Sequence, residues 1–149
     1  MKKLLFFALF VFVIPFSLFS KKYSIKEQDI IIFLSLAEEY KVLLSGLLSE
    51  EEKNLKLSET FYLDNESVKN ETKIFLEKNN WSYEKFENFL YVVGATLDAL
   101  SYSEVFGNYD DVLLEDISKP SVFLVKKYKS KLAEYFDIEN FDLPDPNRE

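Results

Sequence analysis

Apolar residues recur along most of this chain at the three- and four-residue steps of an α-helix. Ile30, Phe33, Leu34, Ala37, Tyr40, Leu44, Leu47 and Leu48 form one such face, which predicts a helix over about 25–52. Ser24, followed three residues later by Glu27, reads as a capping box at its start. Ile31 and Ile32 widen the stripe, which points to burial on two sides or a break near Ser35. The next stretch, KNLKLSETFYL, has no clean period and reads as a loop with a short helical turn. Asp64 is placed to cap a second helix over about 65–79, with Val68, Ile74, Phe75 and Leu76 on its apolar side and Asn79 and Asn80 as its stop.

The clearest element follows. Ser82 has the side chain of an N-cap, and Glu84 lies near the positive end of the helix it would open. Phe86, Leu90, Val93, Leu97 and Leu100 then fall at steps of four, three, four and three, with Phe89 beside them. Such a stripe predicts a central helix reaching about Glu104, ended by Gly107 and Asn108. Trp81 stands just before the cap, where it should cover the edge of the core and find a partner for its N–H. Gly94 and Ala95 should let another helix approach closely. Asp110–Ile117 reads as a short helix before Pro120. Ser121 opens a last amphipathic helix over about 121–136, carrying Val122, Val125, Tyr128, Leu132, Tyr135 and Phe136. The expected fold is therefore all-α, a small bundle of four or five helices in one domain over residues 21–140. The two prolines of NFDLPDPNRE make 141–149 an irregular tail.

Residues 1–20 break the pattern. MKKLLFFALFVFVIPFSLFS has a basic start, an apolar run with no polar face and small residues near its end, the layout of a secretory signal peptide. Its apolar run falls short of a comfortable membrane-spanning length, so an uncleaved leader would act only as an N-terminal anchor. No other run is apolar enough to cross a bilayer, and no integral membrane domain is expected. Export without cysteine suits the bacterial periplasm or cell envelope.

Charge and missing residues narrow the chemistry. The formal charge is −8, and losing Lys2 and Lys3 with the leader makes it more negative. Nucleic-acid binding depends on neutralising phosphates, so an acidic chain of this kind predicts no nucleic-acid partner. The run Lys126, Lys127, Lys129, Lys131 is a local reversal, explained by solubility and by the negative end of a helix, or else a dock for an acidic partner. There is no His and no Cys. Thiol chemistry, the usual zinc ligands and the commonest general base at neutral pH are all missing. Asp110, Asp111, Glu115 and Asp116 lack the ligand spacing of a calcium loop. No metal or other cofactor is expected, and a non-enzymatic role is favoured.

Nine Tyr and fifteen Phe exceed what a lean bundle needs. Tyr23, Tyr62, Tyr109 and Tyr135 are candidates for exposure. On the central helix, Tyr91, Asp98 and Tyr102 fall along one side at near-turn spacing, and they are the candidate ligand-binding residues. In this reading the two tyrosines wall a groove and Asp98 lies at its base. The expected function is an exported helical protein that binds a protein or peptide partner in the cell envelope. The alternative is a carrier of a small molecule or lipid, with an apolar pocket near Phe86, Leu90, Tyr91 and Leu97 against the first helix.

Overall fold

The computed structural model describes residues 22–107 and 114–136. Among them are five α-helices and one 3-10 turn: α1 (Glu27–Ser45), the turn Glu52–Asn54, α2 (Leu57–Thr60), α3 (Glu66–Lys78), α4 (Tyr83–Phe106) and α5 (Lys119–Leu132). The protein is an all-α bundle. The leader and the tail beyond residue 136 lie outside the described residues, as does the first half of the expected short helix at 110–117; in its second half Leu114–Asp116 form a turn rather than a helix.

α1 opens two residues later than the Ser24 box implies, with Lys26 at the cap position. The Asp29 carboxylate accepts the Lys26 N–H at 2.8 Å, and the same carboxylate meets the Lys85 ammonium of α4 at 2.6 Å. A 5%-exposed acid is thus paired twice, as a buried charge must be. Ile30, Phe33, Ala37, Tyr40 and Leu44 face the core. The helix runs unbroken through Ser35, whose hydroxyl bonds the Ile32 carbonyl at 2.7 Å, and ends at Ser45 rather than near residue 52. Leu47 and Leu48 still pack on the core from the following turn.

The cap of α3 is Asn65, not Asp64. Its side-chain oxygen accepts from the N–H groups of Ser67 and Val68, satisfying two of the donors a helix start leaves open. Asp64 instead pairs with Lys69 at 3.2 Å. At the other end Asn80 takes a positive φ of 56°. The Trp81 N–H then reaches back to Leu76 O at 2.9 Å and the Asn80 N–H to Glu77 O at 3.1 Å, the bond pair of a Schellman stop. That stop drops Trp81 into the core beside Phe86 and Phe89, ring centroids 5.3 and 5.4 Å away. Contrary to expectation, the buried indole N–H finds no hydrogen-bond acceptor there.

α4 is the central element. Ser82 Oγ accepts the Lys85 N–H at 3.1 Å and caps it. Phe86, Phe89, Leu90, Val93 and Leu97 are buried as the stripe requires, and so are Val92, Thr96 and Ala99 on a second side. The helix is covered on two sides because it packs against both α3 and α5. Leu100, by contrast, is only half-buried.

α5 begins at Lys119, with Pro120 in its first turn, where a missing N–H costs nothing. Ser121 is therefore inside the helix. It is fully buried, and its hydroxyl accepts the Ile25 N–H at 2.9 Å. Tyr23 bridges in parallel to Ile117, its N–H on Asp116 O at 2.8 Å and its carbonyl receiving the Ser118 N–H at 2.9 Å. These bonds sew the extended segment before α1 onto the start of α5.

Candidate functional site

Two open clefts adjoin on the outer side of α4. One, of about 870 Å³, is lined by Lys22, Tyr23, Ser24, Tyr62, Ser82, Glu84, Lys85, Glu87, Asn88 and Tyr91. The other, of about 320 Å³, involves Ser58, Glu59, Leu90, Gly94, Ala95, Asp98 and Phe136 together with the same Tyr62 and Tyr91. Tyr62 and Tyr91 line both clefts, which lie side by side along the helix and form its grooved face.

Each wall has a local cause. Tyr91 is on α4, one turn beyond the half-buried Asn88, whose amide donates to Ser24 O at 3.0 Å. Its hydroxyl donates to Asp116 Oδ2 at 2.5 Å, and its ring lies 4.8 Å from that of Tyr23. The hydrogen bond to Asp116, and to a lesser degree the covering of the ring, push the Tyr91 phenol up to about 12. Tyr62 follows α2 and stands edge-on to the buried Phe61 at 5.3 Å. Phe61 is stacked on Tyr83 at 5.0 Å, which anchors that wall to the start of α4. Partial burial, then the negative charge of Glu87, push both the Tyr62 and Tyr83 phenols upward.

Tyr62 is 64% exposed, Tyr23 47% and Tyr91 39%. Three amphipathic rings are thus presented to solvent in one groove, each held from behind. Gly94 and Ala95 provide its low floor. A Cβ on Gly94 would meet Phe136 at 3.8 Å, an ordinary contact. Gly94 therefore neighbours a side chain beyond α5, rather than a helix backbone in close approach.

Of the three residues singled out in the sequence, Tyr91 and Asp98 share the groove and Tyr102 does not. Asp98 is exposed at the end nearer Phe136. Tyr102 lies beyond it on α4, half-buried, with its ring 4.7 Å from that of Phe106. Tyr62 and Tyr23 come from outside α4 and replace it. Both were marked for exposure by sequence alone, yet nothing in their spacing could place them beside Tyr91.

Other candidates resolve differently. Lys127 pairs with Glu27 at 2.6 Å, and Lys129 pairs with Glu104. Two of the four lysines of the basic run thereby serve the protein's own surface. The bonds from Lys127 and Tyr128 hold the Glu27 carboxyl below its ordinary range. Of the other two tyrosines expected to be exposed, Tyr135 is half-buried and bonds Glu38 at 2.9 Å, and Tyr109 lies outside the described residues. Among the described residues no three acidic side chains converge as metal ligands, and no helix is long and apolar enough to cross a membrane. In the interior, the opening among Phe33, Ala37, Tyr40, Phe75, Trp81 and Phe86 is only about 10 Å³, less than a small apolar ligand occupies.

Comparison with known proteins finds no matching family, no matching curated protein and no matching solved structure.

Proposed function

We propose that this is an exported, non-enzymatic helical protein that binds a protein or peptide segment in the cell envelope, and that the groove along α4 is where it binds. One observation supports this most: Tyr23, Tyr62 and Tyr91, from three separate parts of the chain, stand between 39% and 64% exposed around one groove. Tyrosine offers a large contact area with few rotatable bonds and a polar tip, so it recurs at the centres of binding surfaces. Here each ring is braced by a buried or hydrogen-bonded neighbour, which lowers the ordering cost of binding. Export rests on the leader-like residues 1–20. A carrier with its ligand between the helices gains no support from an interior opening of about 10 Å³.

The test is site-specific photo-crosslinking in living cells. A photoreactive phenylalanine analogue at Tyr62 should capture one reproducible envelope protein or peptide. The same analogue at Ile74, exposed on α3, should not. Equal capture at both positions, or none at Tyr62, would overturn the assignment of the groove.

A further inference from the structure

We infer that the groove along α4 is built for an extended, cationic peptide segment, whose Lys or Arg side chains lie over its tyrosine rings and against its rim of acids. This rests on the groove being a binding surface and adds the chemistry of what it takes.

Charge is the first support. The lining contributes the carboxylates of Glu59, Glu84 and Glu87 against the ammonium groups of Lys22 and Lys85. Lys85 is already turned onto buried Asp29 at 2.6 Å, so the field in the groove is negative. Glu87 lies near enough to Tyr62 and Tyr83 to be felt by both phenols. A cation over Tyr62 would meet that carboxylate as well as the ring face, two attractions at one spot. The protein already makes this pairing elsewhere: Lys73 sits over Tyr83 at 5.4 Å and Lys127 over Tyr128 at 5.2 Å.

Shape is the second. From Ser82 to Asp98 the helix rises about 24 Å, a length that about seven extended residues cover. Charge also decides against an obvious alternative occupant. Residues 137–149, DIENFDLPDPNRE, follow directly on Phe136 in the groove wall, but they carry five acids and a single Arg.

The experiment titrates the purified protein with two labelled peptides and follows anisotropy. One peptide has the sequence of residues 137–149. The other is its charge-reversed counterpart, with Lys in place of Asp137, Glu139, Asp142, Asp145 and Glu149. The cationic peptide should bind and the acidic one should not. Binding should weaken as ionic strength rises from about 0.01 to 0.15 M, over which the screening length falls from about 30 to 8 Å. Tyr62→Ala and Glu87→Gln should each weaken it about two- to fivefold, the scale of exposed cation–π and ion-pair contacts. Glu77→Gln removes the same charge from an exposed position on α3 and should leave it unchanged.

Equal weakening by Glu77→Gln would mean diffuse attraction to an acidic protein and would overturn the inference. Preference for the acidic peptide would overturn it too, giving the groove to the chain's own C-terminal residues. Self-association lost in Tyr62→Ala would give it to a second copy. A partner captured at Tyr62 with no cationic-peptide binding would sink this inference alone and leave the binding role standing.

Discussion

Asn80 holds φ at 56° to end α3 and aim Trp81 inward. Left-handed backbone costs most L-residues about 1–2 kcal/mol and glycine almost nothing. Asn80→Gly should therefore keep or raise stability, by up to about 1 kcal/mol, while Asn80→Val should lower it; urea denaturation decides between these signs. Tyr91 makes a pH-dependent contribution. Its folded pKa, about 12, is above the ordinary value of 10.0. The bond to Asp116 thus stabilises the fold fully below that ordinary value and is lost as pH rises through the folded one. Because the ring is exposed, the contribution should not exceed about 1 kcal/mol. The stability difference between the wild type and Tyr91→Phe should be flat at neutral pH and should shrink at strongly alkaline pH. A difference that grows with pH would contradict the assignment.

At the scale of the element, α4 organises the rest. Leu97 is fully buried on its main stripe. Leu97→Ala should cost about 2–5 kcal/mol in denaturant unfolding, depending on how far the site collapses. A loss below about 0.5 kcal/mol is the range of a surface position and would mean that the helix presents another face. The stripe from Phe86 to Leu97 was legible because a helix packed on one side repeats its apolar residues each turn. Val92, Thr96 and Ala99 were not, because a second covered side becomes visible only when the partner helices are placed. The ends of elements read less well. Ser24 and Asp64 have the right side chains for caps, yet Lys26 and Asn65 occupy those positions. Several polar residues in a row can each cap, and tertiary bonds choose among them. Ser121 illustrates the choice: it looks like a helix start, but the buried N–H of Ile25 claims its hydroxyl.

For the whole molecule, the proposed leader and the bundle meet within a few residues. Tyr23 is already tied to Asp116 and Ser118 by backbone bonds, so cleavage after Ser20 would leave every described contact in place. Intact-mass measurement on the protein recovered from cells should find residues 1–20 missing from the dominant species. Retention of Met1 in that species would instead make it an anchored protein.

The sequence alone determined that this is a helical bundle, where the central helix lies and which of its faces is apolar, since these follow from local periodicity and capping chemistry. It also marked Tyr91 and Asp98, and it marked Tyr23 and Tyr62 as surface tyrosines. Only the tertiary structure decided that Tyr23, Tyr62 and Tyr91 share one groove and that Tyr102 stands apart from it. Residues 23, 62 and 91 are brought together by contacts between segments distant in the chain: the bridge to Ile117, the Phe61–Tyr83 stack and the bond to Asp116. No period along a helix encodes distances of that kind. They arise when packing chooses which elements become neighbours.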